Sequence, residues 1–312
     1  MSMRTLKYFF EFVLVRTLTG LFGLLSWKNI ESLSRLLAPL ICFAVASRRR
    51  LVLANLKLAF PELGQERRDE IAREFWRRVT LTTFEWLRIS VLSKEQLESC
   101  AVFENPEVLD VALREGRGVL LHSAHLGNWE LGALRISAAY PVAAVVRVQK
   151  NPFLDRWHNN NRRRFGMHLL THHQAIKETQ EWLKNRGCVG ILMDQNLYKG
   201  GVFVDFFGIP AATTTLTALL HLRTASPIVG VHVRREGLRQ ILRFERLQAT
   251  AQEFPQSKTE RAHELTRRLT AQIESWVRAH PEDWLWGHNR WKRRHEAAAI
   301  NAGSKNLAAH EV

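Results

Sequence analysis

Apolar residues recur at intervals of three and four through residues 65–90, where Ile71, Phe75, Val79 and Trp86 fall on one side of a helical repeat. This spacing predicts an amphipathic helix with a single buried stripe. The preceding stretch "FPELG" contains proline and glycine, so it predicts a turn before the helix.

From residue 118 onward, continuous apolar runs alternate with amphipathic stretches. Strands are predicted at 118–125, 141–148, 188–194, 201–208, 226–235 and 239–247. Helices are predicted at 129–139, across 153–186, at 214–224 and at 262–280. Apolar strands separated by helices predict an α/β fold with a central, largely parallel sheet flanked by helices. The last two strands are compatible with an antiparallel hairpin at the edge of that sheet.

The N-terminal segment is apolar over residues 8–25 but contains Glu11 and Arg16. A spanning helix needs about 20 apolar residues, and a charge near the bilayer centre costs roughly 3 kcal/mol. We interpret residues 5–27 as a membrane anchor that either spans the bilayer or lies in its interface; the alternative is a buried helix hairpin of a soluble protein. The basic run at 48–50 places the following chain on the cytoplasmic side.

No linker or internal repeat interrupts this pattern. The predicted organisation is therefore an N-terminal membrane anchor at 1–30, a helical region at 31–100 packed on the core, an α/β core at 101–296 and a disordered tail at 297–312.

The charge balance narrows the choice of partners. The chain has 45 Lys and Arg residues against 30 Asp and Glu residues, a net charge of +15. Such a surplus attracts polyanions, whether nucleic acid, anionic membrane, an acidic carrier protein or a phosphorylated substrate. The three cysteines are far apart in the sequence, which argues against a disulfide framework and a cysteine zinc site.

The pattern His-x-x-x-x-Glu occurs twice, at His125–Glu130 and at His173–Glu178. The second pair falls in a stretch predicted to be helical, where residues five apart point about 140° away from each other. The first pair follows a buried strand, and loops at the carboxyl ends of such strands bind ligands in open α/β sheets. We therefore choose His125–Glu130 as the candidate site.

A histidine and a carboxylate in one turn form a general base and the group that orients it. Ser123 lies nearby, but no nucleophile-elbow motif surrounds it. This combination favours direct acyl transfer to a hydroxyl of the substrate, without a covalent acyl-enzyme. The alternative is that His125, like many histidines at strand ends, is structural.

The stretch "LLHSAHLGNWE" closely resembles the first motif of the bacterial lipid A biosynthesis (late, or secondary) acyltransferases of the lauroyl/myristoyl type. That family belongs to the wider lysophospholipid acyltransferase-like group. Five further stretches are similar to blocks of the family, in the same order: "RLVLANLKLAFPEL", "VVRVQKNPFLDRWHNNNRRRFG", "ILMDQN", "GVFVDFFGIPAATTT" and "WLWGHNRWKRR". The resemblance covers roughly residues 40–295.

The resemblance implies a glycerolipid-acyltransferase-like α/β enzyme at the cytoplasmic face of the bacterial inner membrane, anchored by an N-terminal hydrophobic helix. It implies acyl-acyl carrier protein as donor and a hydroxyl of a phosphorylated lipid A precursor as acceptor. No cofactor, metal or nucleic acid is expected.

The expected catalytic residues are His125 and Glu130. The expected substrate-binding residues are Arg147, Arg164, Asp194 and Gln195. Asp194 and Gln195 are also expected to support the catalytic loop through hydrogen bonds.

Several alternatives stay open at this point. The same chemistry on another glycolipid or lipid, or a non-catalytic protein that binds anionic lipid or nucleic acid, would also account for the charge. Two groups of aromatic residues have two interpretations each. Trp284, Trp286 and Trp291 suit a membrane interface or core packing, and Phe206 and Phe207 suit an acyl-chain pocket or the core.

Overall fold

The computed structural model describes residues 2–146, 148–170, 175–247 and 257–297. The predicted tail therefore lies outside the described residues except for Ala297.

Four helices precede the sheet: α1 (Met3–Leu24), α2 (Trp27–Ala44), α3 (Ala46–Ala59) and α4 (Gln65–Arg88). The helix predicted at 65–90 is α4, and the predicted stripe is confirmed because Ile71 and Phe75 are buried on it. Glu66 in its first turn and Arg88 in its last turn complement the helix dipole.

Helices α1 and α2 pack against α4. Phe22, Ile30 and Phe84, one from each helix, meet in a shared apolar cluster. Other apolar side chains remain exposed, including Phe10 at 63% and Phe43 at 78%. No helix in the described ranges is both long and apolar enough to cross a bilayer alone. The pair α2 and α3, bent by 96° at their junction, passes the same test together.

The α/β part begins with α5 (Lys94–Cys100). Its strands are β1 (Ala101–Glu104), β2 (Val119–Ser123), β3 (Val142–Val145), β4 (His168–Leu170), β5 (Cys188–Leu192), β6 (Val202–Phe206), β7 (Ile209–Thr213), β8 (Ile228–Glu236) and β9 (Arg239–Arg246). Its remaining helices are α6 (Glu107–Arg114), α7 (Trp129–Ser137), α8 (Pro152–Arg164), α9 (Ala175–Lys184), α10 (Leu216–Thr224) and α11 (Lys258–Ala279).

Seven of the strands form one sheet in the order β1-β9-β8-β2-β5-β3-β4. Every neighbouring pair is parallel except β8 and β9, so the largely parallel α/β prediction is confirmed. The predicted antiparallel hairpin of β8 and β9 is also confirmed. Its predicted edge position is wrong, because β1 pairs in parallel with the outer side of β9. The short strand β1 carries too few residues for a clear periodic signal.

The strand predicted at 201–208 is β6, which stays out of the main sheet. It pairs with β7 as a separate antiparallel ribbon. The reversal at Phe207, whose φ is +57°, and at Gly208, whose φ is +68°, makes this hairpin tight.

The sheet separates two apolar layers, because successive side chains of a strand point to opposite faces. On one face, Leu120 of β2 packs in a cluster with Leu269 of α11. On the other face, Val119 and Leu121 of β2 pack in a cluster with Leu134 of α7. Both faces are covered, which explains why every residue of β2 is buried and why its first three residues are apolar.

The segment after α11 returns to the centre of the molecule. Trp284, Trp286 and Trp291 are at most 1% exposed and belong to the first layer, together with Phe206 and Phe207. The packing interpretation is confirmed for all five aromatic residues, and the membrane-interface and acyl-pocket interpretations are wrong.

Candidate active site

The candidate histidine stands just beyond the carboxyl end of a central strand. Strand β2 ends at Ser123, and His125 follows in the turn before α7. In this turn Gly127 has a φ of +53°, and a Cβ there would come within 2.8 Å of the Gln240 side chain. Only glycine therefore fits without strain, and the turn brings His125 back over the end of the sheet.

Helix α7 starts from a well-anchored cap. Asn128 accepts a hydrogen bond from the backbone N–H of Leu131 and donates one to Glu85 Oε2, 2.9 Å away. Glu85 also pairs with Arg235 at 2.6 Å, and both side chains are at most 2% exposed. Removing one partner of a buried ion pair leaves an uncompensated buried charge, so the pair is costly to break and fixes the helix start and the turn before it.

The carboxylate on the His125 ring is Asp194. Asp194 Oδ1 lies 2.8 Å from His125 Nδ1, and Asp194 Oδ2 accepts the His125 backbone N–H at 3.0 Å. Trp284 Nε1 donates to the same Oδ2 at 2.8 Å. Because β2 and β5 are parallel neighbours, the residues that follow them meet at one edge of the sheet.

Asp194 is buried and ionised. Burial alone would raise the pKa of its carboxyl group, but the His125 ring and the hydrogen bonds from His125 and Trp284 outweigh it and lower that pKa to about 2. An ionised carboxylate only accepts hydrogen bonds, so His125 Nδ1 must carry the proton donated to it. The Nε2 atom of neutral His125 is then the acceptor, and Gln195 Nε2 lies 3.1 Å from it.

Glu130 does not make the predicted hydrogen bond to His125. Its carboxylate accepts two hydrogen bonds from Arg162, at 2.8 and 2.9 Å, and lies 3.1 Å from His158 Nε2. Burial alone would raise the pKa of Glu130, but the hydrogen bonds and charges of His158 and Arg162 outweigh it and lower that pKa to about 2. The sequence interpretation of Glu130 as the orienting group is corrected to Asp194. The physical reason is that Glu130 lies in the first turn of α7, where its side chain faces Arg162 of α8.

The structure describes one of the two predicted arginines. Arg147 lies outside the described residues. Arg164 donates to the backbone carbonyls of Ser90, Ile89 and Leu92, at 2.6, 2.5 and 3.1 Å. These hydrogen bonds stabilise the backbone just after α4, and the Arg164 side chain does not face His125.

Sequence reasoning missed Arg162 and His158 as neighbours of the site. Arg162 lies in the same "NRRR" run as Arg164, so the sequence did indicate that an arginine of this run lies near the site. Three consecutive arginines on a helix point in three directions, about 100° apart, and the choice among them depends on how α8 packs.

A cavity of about 570 Å³ opens beside His125. Its lining is mostly apolar and comes from α7, the strands β2, β3, β5 and β8, and the loops beyond them. The polar lining residues include His125, Glu130, Arg162 and Gln195.

Ser123 is also among the lining residues, but it donates to the Val231 carbonyl at 2.7 Å. Its hydroxyl is thus engaged away from His125, in line with the expectation that it is not a nucleophile. Within the described ranges, no three His, Cys, Asp or Glu side chains converge as they would around a metal ion.

Sequence comparisons show the family of the chain. The family model described as bacterial lipid A biosynthesis acyltransferase matches residues 1–293. A lipid A biosynthesis acyltransferase of Haemophilus influenzae is 24% identical over 74% of this chain and 72% of its own length. The lipid A biosynthesis myristoyltransferase of Escherichia coli is 24% identical over 77% of this chain and 74% of its own. A phosphatidylinositol mannoside acyltransferase of Mycobacterium tuberculosis is 24% identical over 59% of this chain and 57% of its own.

Proposed function

Because the chain belongs to the bacterial lipid A biosynthesis acyltransferase family, we propose that it moves a fatty acyl chain from acyl carrier protein to a hydroxyl of a lipid A precursor. The observation that carries the mechanism is the His125–Asp194 pair at the mouth of an apolar cavity. This pair replaces the His125–Glu130 pair that the sequence predicts.

The reaction needs a base with a free lone pair at a point where substrate can reach it. The Asp194 contact holds the proton on Nδ1, so the lone pair of His125 Nε2 points to the side where Gln195 lies. In the proposed step the acceptor hydroxyl takes the place of the Gln195 amide and gives its proton to Nε2. The hydroxyl oxygen attacks the thioester carbonyl, and Asp194 stabilises the imidazolium that forms.

The second half of the reaction returns this proton. The tetrahedral intermediate collapses with cleavage of the carbon–sulfur bond, and the proton on Nε2 passes to the departing thiolate. The products are the acyl ester and the free thiol of the carrier. The protein forms no covalent bond with the acyl chain at any step.

The cavity suits an acyl chain. Apolar side chains such as Ile136, Met167 and Val233 line it, and its volume falls within the range of small-molecule sites. With its carbonyl at His125, an acyl chain would lie between α7 and the sheet and be withdrawn from water.

Among the described arginines, Arg162 lines this cavity and Arg164 does not, so we assign contact with the acceptor's anionic group to Arg162 in place of Arg164. Its two hydrogen bonds to Glu130 fix the guanidinium plane. Glu130 thus becomes a positioning residue in this proposal. The net charge of +15 further supports an acidic carrier protein, anionic lipid and a phosphorylated acceptor.

The proposed location is the cytoplasmic face of the bacterial inner membrane. Exposed apolar side chains on α1 and α2, among them Phe10, Leu14 and Phe43, support contact with the bilayer. Arginines at 48–50 are exposed beside them and suit anionic headgroups.

The test is acyl transfer by the purified full-length protein, with acyl carrier protein thioesters as donors and product detection by mass spectrometry. The acceptor is a phosphorylated lipid A precursor that carries free 3-hydroxyacyl groups. His125→Ala should lower the rate about 10²–10⁴-fold, the usual contribution of a general base. His295→Ala, which alters an exposed histidine, is the matched control and should keep the wild-type rate. Retention of activity by His125→Ala would exclude the proposed base.

A parallel arm replaces the acceptor with a phosphatidylinositol mannoside. The Mycobacterium tuberculosis relative motivates this arm, because its name specifies that acceptor. Transfer to the mannoside and not to the lipid A precursor would leave the chemistry in place and change the acceptor.

A further inference from the structure

Strand β5 lies inside the sheet, between β2 and β3, and carries a glycine, Gly190, in its middle. Glycine weakens a strand interior, since it loses more backbone entropy than other residues and has no side chain to pack. Gly190 is not among the residues with positive φ, so its backbone would accept any side chain. The reason for a glycine must lie in the space around it.

That space is open. A Cβ built on Gly190 would have a single heavy atom of another residue within 4 Å, the Ala143 carbonyl oxygen at 3.9 Å. Gly230 on β8 shows the opposite case, because a Cβ there would come within 2.9 Å of the Trp276 ring. Gly230 makes room for a neighbouring side chain, whereas the room at Gly190 belongs to the cavity, which Gly190 lines.

The position of Gly190 in the cavity follows from strand register. Gly190 is paired with Leu121 of β2 on one side and with Ala144 of β3 on the other, and all three line the cavity. His125 is four residues beyond Leu121 in the chain. At about 3.3 Å per residue, the row that contains Gly190 lies at most about 13 Å below the reacting centre. One row further from His125, Cys188 and Val119 are fully buried, and Val142 of β3, which pairs with Cys188, still lines the cavity.

We propose that Gly190 is a specificity-determining residue, and that its missing side chain sets the longest acyl chain that the cavity admits. The proposal rests on the proposed function, in which the cavity holds the acyl chain of the donor. A side chain at position 190 would fill the cavity at this depth, so the methylene groups at and beyond this row would lose their space. Donors with short chains would not reach it.

The experiment measures kcat/KM for a series of acyl carrier protein thioesters, from octanoyl to palmitoyl, with wild type, Gly190→Ala and Gly190→Val. Each methylene excluded from an apolar site should lower kcat/KM about fourfold. We expect Gly190→Val to shift the preferred donor to a shorter chain. Its rate with the longest donor that wild type uses well should fall at least tenfold, and its rate with short donors should remain. Gly190→Ala should shift the profile less.

Gly64→Val is the matched control, because a Cβ at Gly64 also meets nothing within 4 Å but lies at the start of α4, away from the cavity. It should leave the donor profile unchanged. Equal loss with all donors in the Gly190 variants, or an unchanged profile in Gly190→Val, would overturn the proposal.

A second readout does not depend on transfer. Free fatty acids of the same lengths should raise the thermal unfolding temperature of the wild type, and Gly190→Val should lose this response to long chains first. A chain-length shift in binding without any transfer by the wild type would retain the role of Gly190 and refute the proposed function. A thermal response identical in wild type and Gly190→Val would refute the role of Gly190 alone.

Discussion

Replacing Asp194 with asparagine tests the central correction that the structure makes to the sequence interpretation. Asparagine keeps the shape of the side chain and its carbonyl can still accept a hydrogen bond, so the variant removes mainly the negative charge. That charge lies 2.8 Å from His125 Nδ1 and is buried. The His125 ring becomes an imidazolium when it takes the proton of the acceptor hydroxyl. Loss of the Asp194 charge should therefore destabilise the transition state of that step.

The size of the effect follows from this distance. At 2.8 Å and an effective dielectric constant of about 20, the attraction between the two charges is about 6 kcal/mol. The hydrogen bond that asparagine retains offsets part of this. A loss of about 4–5.5 kcal/mol of transition-state stabilisation corresponds to a fall in kcat of about 10³–10⁴-fold. Glu130→Gln removes a charge that does not touch the His125 ring, so its effect on kcat should be smaller.

The assay is the mass-spectrometric transfer reaction, with kcat measured under saturating donor and acceptor. Asp205→Asn is the matched control, since Asp205 is exposed on β6. Thermal unfolding of each variant separates a catalytic loss from a folding loss. A double variant, His125→Ala with Asp194→Asn, should be no slower than His125→Ala alone, because the two groups act as a unit.

The reasoning would be refuted by one particular pattern. If Asp194→Asn stayed within tenfold of the wild type while Glu130→Gln lost about 10³-fold, the His125–Asp194 pair would be structural. Glu130 would then have to reach His125 in the substrate complex, as the sequence pattern alone suggests.

Two further predictions concern residues away from the reacting centre. Arg164→Ala should lower the free energy of unfolding by about 1–2 kcal/mol, since it removes hydrogen bonds from an exposed cation to three carbonyls. It should leave the acceptor KM unchanged; a large rise in KM for the phosphorylated acceptor alone, with no change in the denaturant midpoint, would restore Arg164 as a phosphate ligand. Serine at both Phe10 and Leu14, two exposed side chains of α1, should weaken sedimentation with anionic phospholipid vesicles about tenfold or more, because each apolar side chain contributes about 1.5–3 kcal/mol when buried. Wild type should stay bound in high salt, and its complete release by salt would show that charge alone holds the protein to lipid.

The sequence alone determined the parts of this protein that depend on short-range patterns. The periodicity at 65–90 and the apolar runs from residue 118 onward predicted helix α4, the strand before the candidate histidine and a largely parallel sheet. The motif around His125 and five similar stretches pointed to the acyltransferase family, and the comparisons confirm that family. These features can be predicted from the sequence because a helix stripe, a buried strand and a tight glycine turn each depend on a few neighbouring residues.

Only the tertiary structure decided which residues meet. His125 and Glu130 are close in sequence, yet Glu130 faces Arg162 on α8, and the His125 ring contacts Asp194, 69 residues away. The pairing of β2 with β5 made that contact, and no local pattern encodes the order of strands in a sheet. The orientation of α8 about its axis likewise decided which arginine of "NRRR" faces the site: Arg162 contacts Glu130, whereas Arg164 contacts the chain after α4. Gly190 was indistinguishable from any other strand glycine until the neighbouring strands showed that the space above it is empty.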